Sequence, residues 1–100
     1  MKFVQIIDFE SQRFGEMREL LESFEQQMKG VSGGPTHRMM LKGRDTTGRY
    51  LAVIEFEFYE DAMRSNERPE VAELNQRLSA LCTRPPAFIN CDLKDIRELK

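Results

Sequence analysis

The stretch YLAVIEFEFYEDAMRSNERPE, residues 50–70, reads as a β-strand that runs directly into a helix. Alternate residues from Ala52 to Phe58 make one face of the strand entirely apolar, because successive side chains point to opposite faces. Leu51 and Val53 make half of the other face apolar too. A strand of this kind needs an apolar layer on each side, so the stretch bears on both the fold and the assembly.

The segments before this stretch predict a strand, a helix and a loop. Residues 2–10 alternate in hydrophobicity and predict a first strand, again with apolar residues on both faces. Apolar residues then recur at steps of three and four from Phe14 to Met28, which is the pattern of an amphipathic helix. Ser11 is placed to cap this helix, and Gly30 is placed to end it. Two glycines and a proline then predict a loop.

The middle of the chain predicts a hairpin. Residues 37–44 read as a second strand, and the DTTG turn at residues 45–48 leads into the strand of the opening stretch. That third strand is predicted to extend to about Tyr59. The hairpin therefore places the second and third strands side by side.

The last third of the chain predicts a broken helix and a final strand. Residues 60–67 predict a helical piece that breaks near Glu67 and restarts at Pro69, because proline suits the first turn of a helix. The restarted helix ends at the TRPP segment, and residues 87–93 predict the last strand. The polar tail, residues 94–100, fits either a short helix or an arm over a neighbouring subunit.

The order of these elements is β-α-β-β-α-β. Right-handed crossovers then predict an α+β, ferredoxin-like fold, in which a four-stranded antiparallel sheet carries both helices on one face. The other face should be polar in a monomer, yet strands one, three and four are apolar on both faces. We therefore expect a homodimer in which sheet packs on sheet, although alternation alone does not say which face meets the helices.

Length and composition narrow the class of protein. We expect residues 1–100 to form a single domain, with 40% hydrophobic residues, 32% charged residues and a net charge of −2. This balance favours neither nucleic acid nor a membrane surface as a partner. The chain has no apolar run long enough to span a membrane and no signal-peptide pattern, which predicts a cytoplasmic protein. Cys82 and Cys91 are expected to be reduced, and no cluster of residues predicts a metal site.

Residues 49–78, RYLAVIEFEFYEDAMRSNERPEVAELNQRL, resemble the corresponding segment of the dimeric α+β barrel superfamily. Within it they are most similar to the antibiotic-biosynthesis-monooxygenase-like (ABM-like) group, and to small actinobacterial members without an assigned role. The shared features are an aromatic strand with Tyr50 and Phe56, an acidic helix start from Tyr59, and a proline break at Pro69.

The resemblance implies a homodimer whose two sheets form a barrel, with a small-molecule pocket between sheet and helices in each subunit. Members of the superfamily include cofactor-free oxygenases, haem-degrading enzymes, lactone isomerases and proteins of no known activity. The haem-degrading members use a tryptophan and a helix-borne histidine. This chain has no tryptophan, and its one histidine, His37, opens the second strand, so no cofactor is expected.

His37 is the weak candidate for a catalytic acid or base, because its ordinary pKa lies near neutrality. Beside it, Arg38 could hold an acidic phenol or a carboxylate. The alternative is a surface histidine after a flexible loop. The residues predicted to bind a ligand are Arg38, Tyr50, Phe56, Tyr59, Asn66 and Asn90.

Two further patterns have alternative interpretations. Asn66 lies beside the predicted helix break, where it could line a cavity or simply cap the restarted helix. Glu55 and Glu57 lie on one face of the third strand and could act as paired carboxylates. Alternatively, they form salt bridges across the hairpin with Lys42, Arg44 or Arg38.

The resulting prediction is a cytoplasmic homodimer that binds a small apolar or aromatic molecule between sheet and helices. One alternative is a cofactor-independent monooxygenase acting on a phenolic or enolic substrate. A second is a structural dimer module without a ligand. The sequence does not decide whether the protein is an enzyme.

Overall fold

The computed structural model describes residues 2–100, whose elements follow one another in the order β-α-β-β-α-α-β. The strands are β1 (Phe3–Glu10), β2 (His37–Lys42), β3 (Arg49–Phe56) and β4 (Ala87–Asp92). The helices are α1 (Phe14–Gln27), α2 (Tyr59–Asn66) and α3 (Pro69–Ala80). The helix predicted after β3 is thus a pair, α2 and α3, joined at the predicted break.

The four strands form an antiparallel sheet in the order β2-β3-β1-β4. Ile7 of β1 lies opposite Ala52 of β3 and Phe88 of β4, and Met40 of β2 completes this row across the sheet. The two outer strands are therefore held together by β1 and β3 at the centre. This arrangement confirms the predicted ferredoxin-like α+β fold.

One face of the sheet packs against the helices and forms two core clusters. In the first, Phe3 and Phe56 pack against Ala62 of α2. In the second, Phe9 and Ala52 pack against Met17 of α1. The face of β3 that carries Ala52, Ile54 and Phe56 is therefore the helix face, which resolves the question that alternation left open.

The opposite face, here called the bare face, is apolar at its centre. Ile6 lies opposite both Val53 and Ile89, and Val53 lies opposite Met39, so these side chains point to the same side of the sheet. Met39 is 57% exposed and Ile89 is 50% exposed. Leu51 lies beside them on the same side. The second apolar face that the sequence predicts is therefore an exposed apolar surface in the structure.

The structure corrects the predicted end of β3. The strand ends at Phe56 rather than near Tyr59, and Phe58 is the N-cap of α2 with an extended backbone. Phe58 is 53% exposed and does not continue the apolar face of the strand. From Tyr59 the chain continues as α2, whose Ala62 packs against Phe3 and Phe56.

The predicted cap of α1 is also wrong. The N-cap residue is Arg13, and the buried Ser11 hydroxyl donates a hydrogen bond to the backbone carbonyl of Leu81 over 2.7 Å. The Ser11 oxygen accepts the Arg13 N–H over 3.0 Å. Ser11 therefore ties the end of β1 to the end of α3. Gly30 has a φ of +88°, as expected of a glycine that follows a helix, two residues beyond the C-cap Met28.

Two other boundaries differ from the prediction. Strand β2 ends at Lys42 rather than Arg44, because Gly43 already forms the hairpin with Arg49 through a backbone hydrogen bond of 2.8 Å. Residues 94–100 form neither a helix nor a strand, and Ile96 is 80% exposed. The short helix predicted for the tail is thus wrong, and the arm over a neighbour stays a prediction.

Candidate functional site

A cleft of about 560 Å³ opens between the helix face of the sheet and the helices α1 and α3. Its floor is made by side chains at the centre of the sheet, and its walls by apolar stripes of the two helices. The main apolar lining residues are Ile7, Ile54, Phe56, Phe24, Met28 and Leu74. The volume lies in the range of small-molecule sites, which is roughly 300 to 1,000 Å³.

A second cavity of about 100 Å³ continues the cleft toward Phe9 and Phe88. The two spaces share Ile7, Ile54 and Leu74 among their lining residues. The deeper part is therefore an apolar extension of the same site. Together they form a graded pocket, apolar inside and more polar toward the loop at residues 28–36.

Arg38 is the charged group at the junction of the two spaces, since it lines both. Its Nε donates to Glu25 Oε2 over 2.5 Å and its Nη2 to Glu25 Oε1 over 3.1 Å, which joins β2 to α1. The hydrogen bonds that Arg38 donates to Glu25 raise the pKa of Arg38, and the side chain is 25% exposed. Arg38 is thus a half-buried, permanently charged group facing the cleft.

The helix break between α2 and α3 forms the other polar part of the lining. Pro69 occupies the first turn of α3, Arg68 is its N-cap with an extended backbone, and no side chain caps the helix. Ser65, Asn66 and Arg68 line the cleft at this point. The predicted alternative, that Asn66 caps the restarted helix, is therefore wrong, and its amide is available to a bound molecule.

Four of the predicted site residues, His37, Arg38, Phe56 and Asn66, line the cleft. His37 lies at the mouth with its side chain 74% exposed. Its Nδ1 is 3.2 Å from Thr36 Oγ1 and 3.8 Å from Glu55 Oε1, and Glu55 is its opposite residue in the sheet. The imidazole is thus held toward Glu55, at the edge of the site rather than over its floor.

The other three predicted residues lie outside the cleft lining. Tyr50 is stacked on Phe14, with ring centroids 4.3 Å apart, at the opposite end of the sheet. Tyr59 packs edge-on against Phe3 at 5.3 Å. Asn90 accepts a hydrogen bond of 3.1 Å from Gln5. Asn90 can therefore act on the site only through Gln5, which lines it.

Several polar lining residues, among them Gln5 and Asn75, were not predicted from the sequence. Asn75 lies one residue after Leu74 on α3, and Gln5 lies between two apolar residues on the helix face of β1. A polar residue that interrupts an apolar face is a signal of a polar-lined cavity. That signal was present at Gln5, whose neighbours on the same face are Phe3 and Ile7.

The predicted hairpin partners of Glu55 are wrong. Glu55 forms a salt bridge of 2.9 Å with Lys2, and the hydrogen bond from Lys2 lowers the pKa of the carboxyl group. Glu57 lies beyond the end of β3 and is exposed. The two carboxylates therefore do not form a pair in the cleft.

The features described so far define a ferredoxin-like α+β domain with a ligand-sized cleft, and solved structures share this fold. The chain is similar to SnoaB, a cofactor-independent oxygenase from Streptomyces nogalater, with a TM-score of 0.78 and 14% identity over 95% of each chain. It is similar to Rv0793 from Mycobacterium tuberculosis, with a TM-score of 0.71 and 16% identity over 100% of each chain. Several further structural neighbours are candidate antibiotic biosynthesis monooxygenases.

A third example is a candidate antibiotic biosynthesis monooxygenase from Caulobacter crescentus, with a TM-score of 0.78. It is 8% identical over 94% of this chain and 91% of its own. At such identities the likeness shows the fold alone. No protein-family model and no curated protein sequence matches this chain. Within residues 2–100, no helix is long and apolar enough to cross a membrane.

Proposed function

We propose that the protein binds a small aromatic or otherwise apolar molecule in the cleft, as a cytoplasmic homodimer joined through its bare faces. The observation that carries the proposal is the cleft of about 560 Å³ between the sheet and the helices α1 and α3. Its floor residues Ile54 and Phe56 offer a broad apolar surface, which suits a flat ring. A filled core would instead have favoured the structural module without a ligand.

The proposal is tested by narrowing the cleft. Leu74 lines both the cleft and its deeper extension and belongs to neither core cluster, so Leu74→Phe should block the site with little effect on folding. Overpacking costs about 1–3 kcal/mol, so binding of a neutral aromatic probe such as naphthamide should weaken roughly 5- to 100-fold. Isothermal titration calorimetry measures this change directly.

Leu20→Phe is the matched control. Leu20 is also a half-buried helix residue, but it lines an outer groove between α1 and α3 rather than the cleft. Its replacement should leave probe binding unchanged. Equal affinities of the two variants would contradict a ligand site in the cleft.

A second proposal is that the bound molecule is oxidised without a cofactor. It is supported by the likeness to SnoaB, a cofactor-independent oxygenase, and by the polar groups of Arg38 and Asn66 at an otherwise apolar site. In such a reaction an anthrone supplies the electrons itself. One oxygen atom of O₂ becomes its new carbonyl, and the other leaves as water with the two hydrogens of the oxidised carbon.

Oxygen consumption with hydroquinones and anthrones tests this second proposal. Asn66→Ala should lower the rate, whereas Gln76→Ala, the loss of an exposed amide outside the cleft lining, should not. His37→Ala should lower the rate only if the imidazole acts as acid or base, and an unchanged rate removes that role. If binding is present but no oxygen is consumed, the ligand-binding proposal stands without the enzymatic one.

A further inference from the structure

The charges around the cleft differ in sign from the charge of the whole chain. The net charge of the protein is −2, yet the cleft lining contains three cations and one anion. The cations are Lys29, Arg38 and Arg68, and the anion is Glu25. A cleft with a local positive excess attracts and retains an anionic molecule. Among the apolar ligands that fit the volume of the cleft, the positive charge therefore favours those that are anionic.

Arg38 is the cation best placed to make a direct contact. It lies in the sheet, on a strand held by backbone pairing to β3, so its position is more rigid than that of a loop residue. Its contacts with Glu25 use Nε and Nη2. The outer nitrogen Nη1 is not used by Glu25, and a guanidinium binds a carboxylate through two adjacent N–H groups. Glu25 thus occupies one edge of the guanidinium and leaves the outer edge for a second partner.

The apolar surroundings of Arg38 strengthen this interaction. Arg38 is the charged residue in the lining of the deeper cavity, where its neighbours include Ile7, Met40 and Leu74. In such a low-dielectric environment a charge-assisted hydrogen bond is stronger than on the surface. An acidic group bound here would point its apolar ring toward Ile54 and Phe56.

We infer that the ligand of the cleft is an anion, an apolar or aromatic ring that carries a carboxylate or an ionised phenol, and that Arg38 binds this acidic group. The inference rests on the proposed function, because it concerns the chemical class of the molecule in the same cleft. It adds that the carboxylate of Glu25, bound to one edge of the guanidinium, repels an anion bound to the outer edge and so lowers its affinity. Anion affinity is thus set by the balance between these two partners.

The test compares naphthoate with naphthamide, which have the same ring and differ in charge. At neutral pH the wild-type protein should bind naphthoate at least roughly tenfold more tightly, since a hydrogen bond to a charged group contributes about this much. Arg38→Gln should weaken naphthoate binding roughly 10- to 100-fold and leave naphthamide binding unchanged. Calorimetric titration measures all four affinities.

Glu25→Gln separates ligand binding from a merely structural ion pair. Both variants break the contact between Arg38 and Glu25, so a structural role predicts that both weaken binding. If Arg38 binds the anion, Glu25→Gln should instead tighten naphthoate binding roughly two- to fivefold, as expected for removing a competing surface charge. Arg18→Gln is the control, because it removes one positive charge as Arg38→Gln does. Arg18 lies on α1 outside the cleft lining, so neither affinity should change.

The outcomes distinguish this inference from the proposed function. If both probes bind equally and Arg38→Gln changes neither, the anion inference is overturned while the ligand site remains. If naphthoate binding weakens in both Glu25→Gln and Arg38→Gln, the ion pair is structural and the inference is overturned as well. If neither probe binds, the proposed function fails, and this inference fails with it.

Discussion

The two faces of the sheet are both apolar, but they differ in shape. On the helix face, large aromatic side chains are concentrated at the two ends of β1, where Phe3 packs against α2 and Phe9 against α1. Between these clusters lie the smaller residues Ile7 and Ile54, and the cleft opens above them and beside Phe56. The bare face has β-branched side chains such as Ile6 and Val53 at its centre. Among residues 2–100, no comparable aromatic cluster lies on this face.

This difference indicates what each face can contact. A face with two bulky ends and a lower middle cannot be filled by straight helices, so it retains space for a small molecule. An exposed apolar sheet face suits the identical face of a second subunit, because a twofold axis brings the same residues of both subunits together. Salt bridges between Asp8 and Arg49 and between Lys2 and Glu55 lie on this side, around the apolar centre. A polar rim around an apolar centre is typical of protein interfaces.

The largest expected effect concerns the helix face. Phe56 is 5% exposed and packs in the core, so Phe56→Ala should lower the free energy of unfolding by about 3–5 kcal/mol. Phe58→Ala is the matched control, because this exposed phenylalanine should cost only about 0.5 kcal/mol. Urea denaturation at a fixed protein concentration measures both values. Similar losses for the two variants would contradict the assignment of the helix face.

The next effect concerns the bare face. Val53 lies opposite Ile6 and Met39, so Val53→Lys would place a charge at the centre of the proposed dimer interface. An unpaired buried charge costs about 3–5 kcal/mol, which should raise the dimer dissociation constant by at least roughly 100-fold. Sedimentation analysis should then show a dimer for the wild type and a monomer for the variant.

Two controls make that experiment decisive. Val31→Lys introduces the same charge at an exposed loop residue and should leave the dimer intact. Circular dichroism should show that Val53→Lys retains the fold. A wild-type protein that is monomeric at all micromolar concentrations would contradict the proposed dimer.

The two cysteines report on the two faces separately. Cys91 lies opposite Val4 on the bare face, whereas Cys82 packs against the core cluster on the helix face. Burial raises the pKa of the Cys82 thiol, so little reactive thiolate forms there. In single-cysteine variants, Cys82 should be alkylated slowly whether the protein is a dimer or not. Cys91 should be protected in the wild type and become reactive when Val53→Lys is added.

Equal alkylation of Cys91 with and without Val53→Lys would indicate that its side of the sheet is not covered by a partner. The rates are followed by mass spectrometry of the intact protein. Unfolding is excluded as the cause if Cys82 remains slow in the same background.

The order of elements followed from the sequence because each has its own hydrophobic period. The steps of three and four in α1, and the alternation in β1 and β3, both depend on local geometry alone. The face that meets the helices could not be predicted, since both faces of β3 are apolar. Likewise, the hydroxyl of Ser11 donates a hydrogen bond to the backbone carbonyl of Leu81, which lies 70 residues further along the chain. No local sequence pattern predicts such a contact.

The site was predicted less well for a related reason. Arg38 and Phe56 lie in the cleft lining because they share the helix face at the end of the β2–β3 hairpin far from its turn. Tyr50 is on the same face by alternation, but its position along β3 places it under Phe14 at the far end. Alternation predicts the face of a residue and not its distance from a gap between helices. Whether the lining residues bind a ligand stays a prediction.

The smallest expected effect belongs to the rim of the bare face. Arg49 donates to both carboxylate oxygens of Asp8, over 3.1 and 2.7 Å, and this interaction lowers the pKa of Asp8. Because the folded state lowers this pKa, the contribution to stability is present above the ordinary aspartate pKa of about 3.9 and is lost as pH falls below it. Arg49→Gln should therefore lower the melting temperature slightly at neutral pH and hardly at all in acid. Thermal unfolding of the wild type, Arg49→Gln and Asp8→Asn across this pH range measures the effect. If the wild type and Arg49→Gln differ by the same amount at every pH, lost packing and not the charge of Asp8 is responsible.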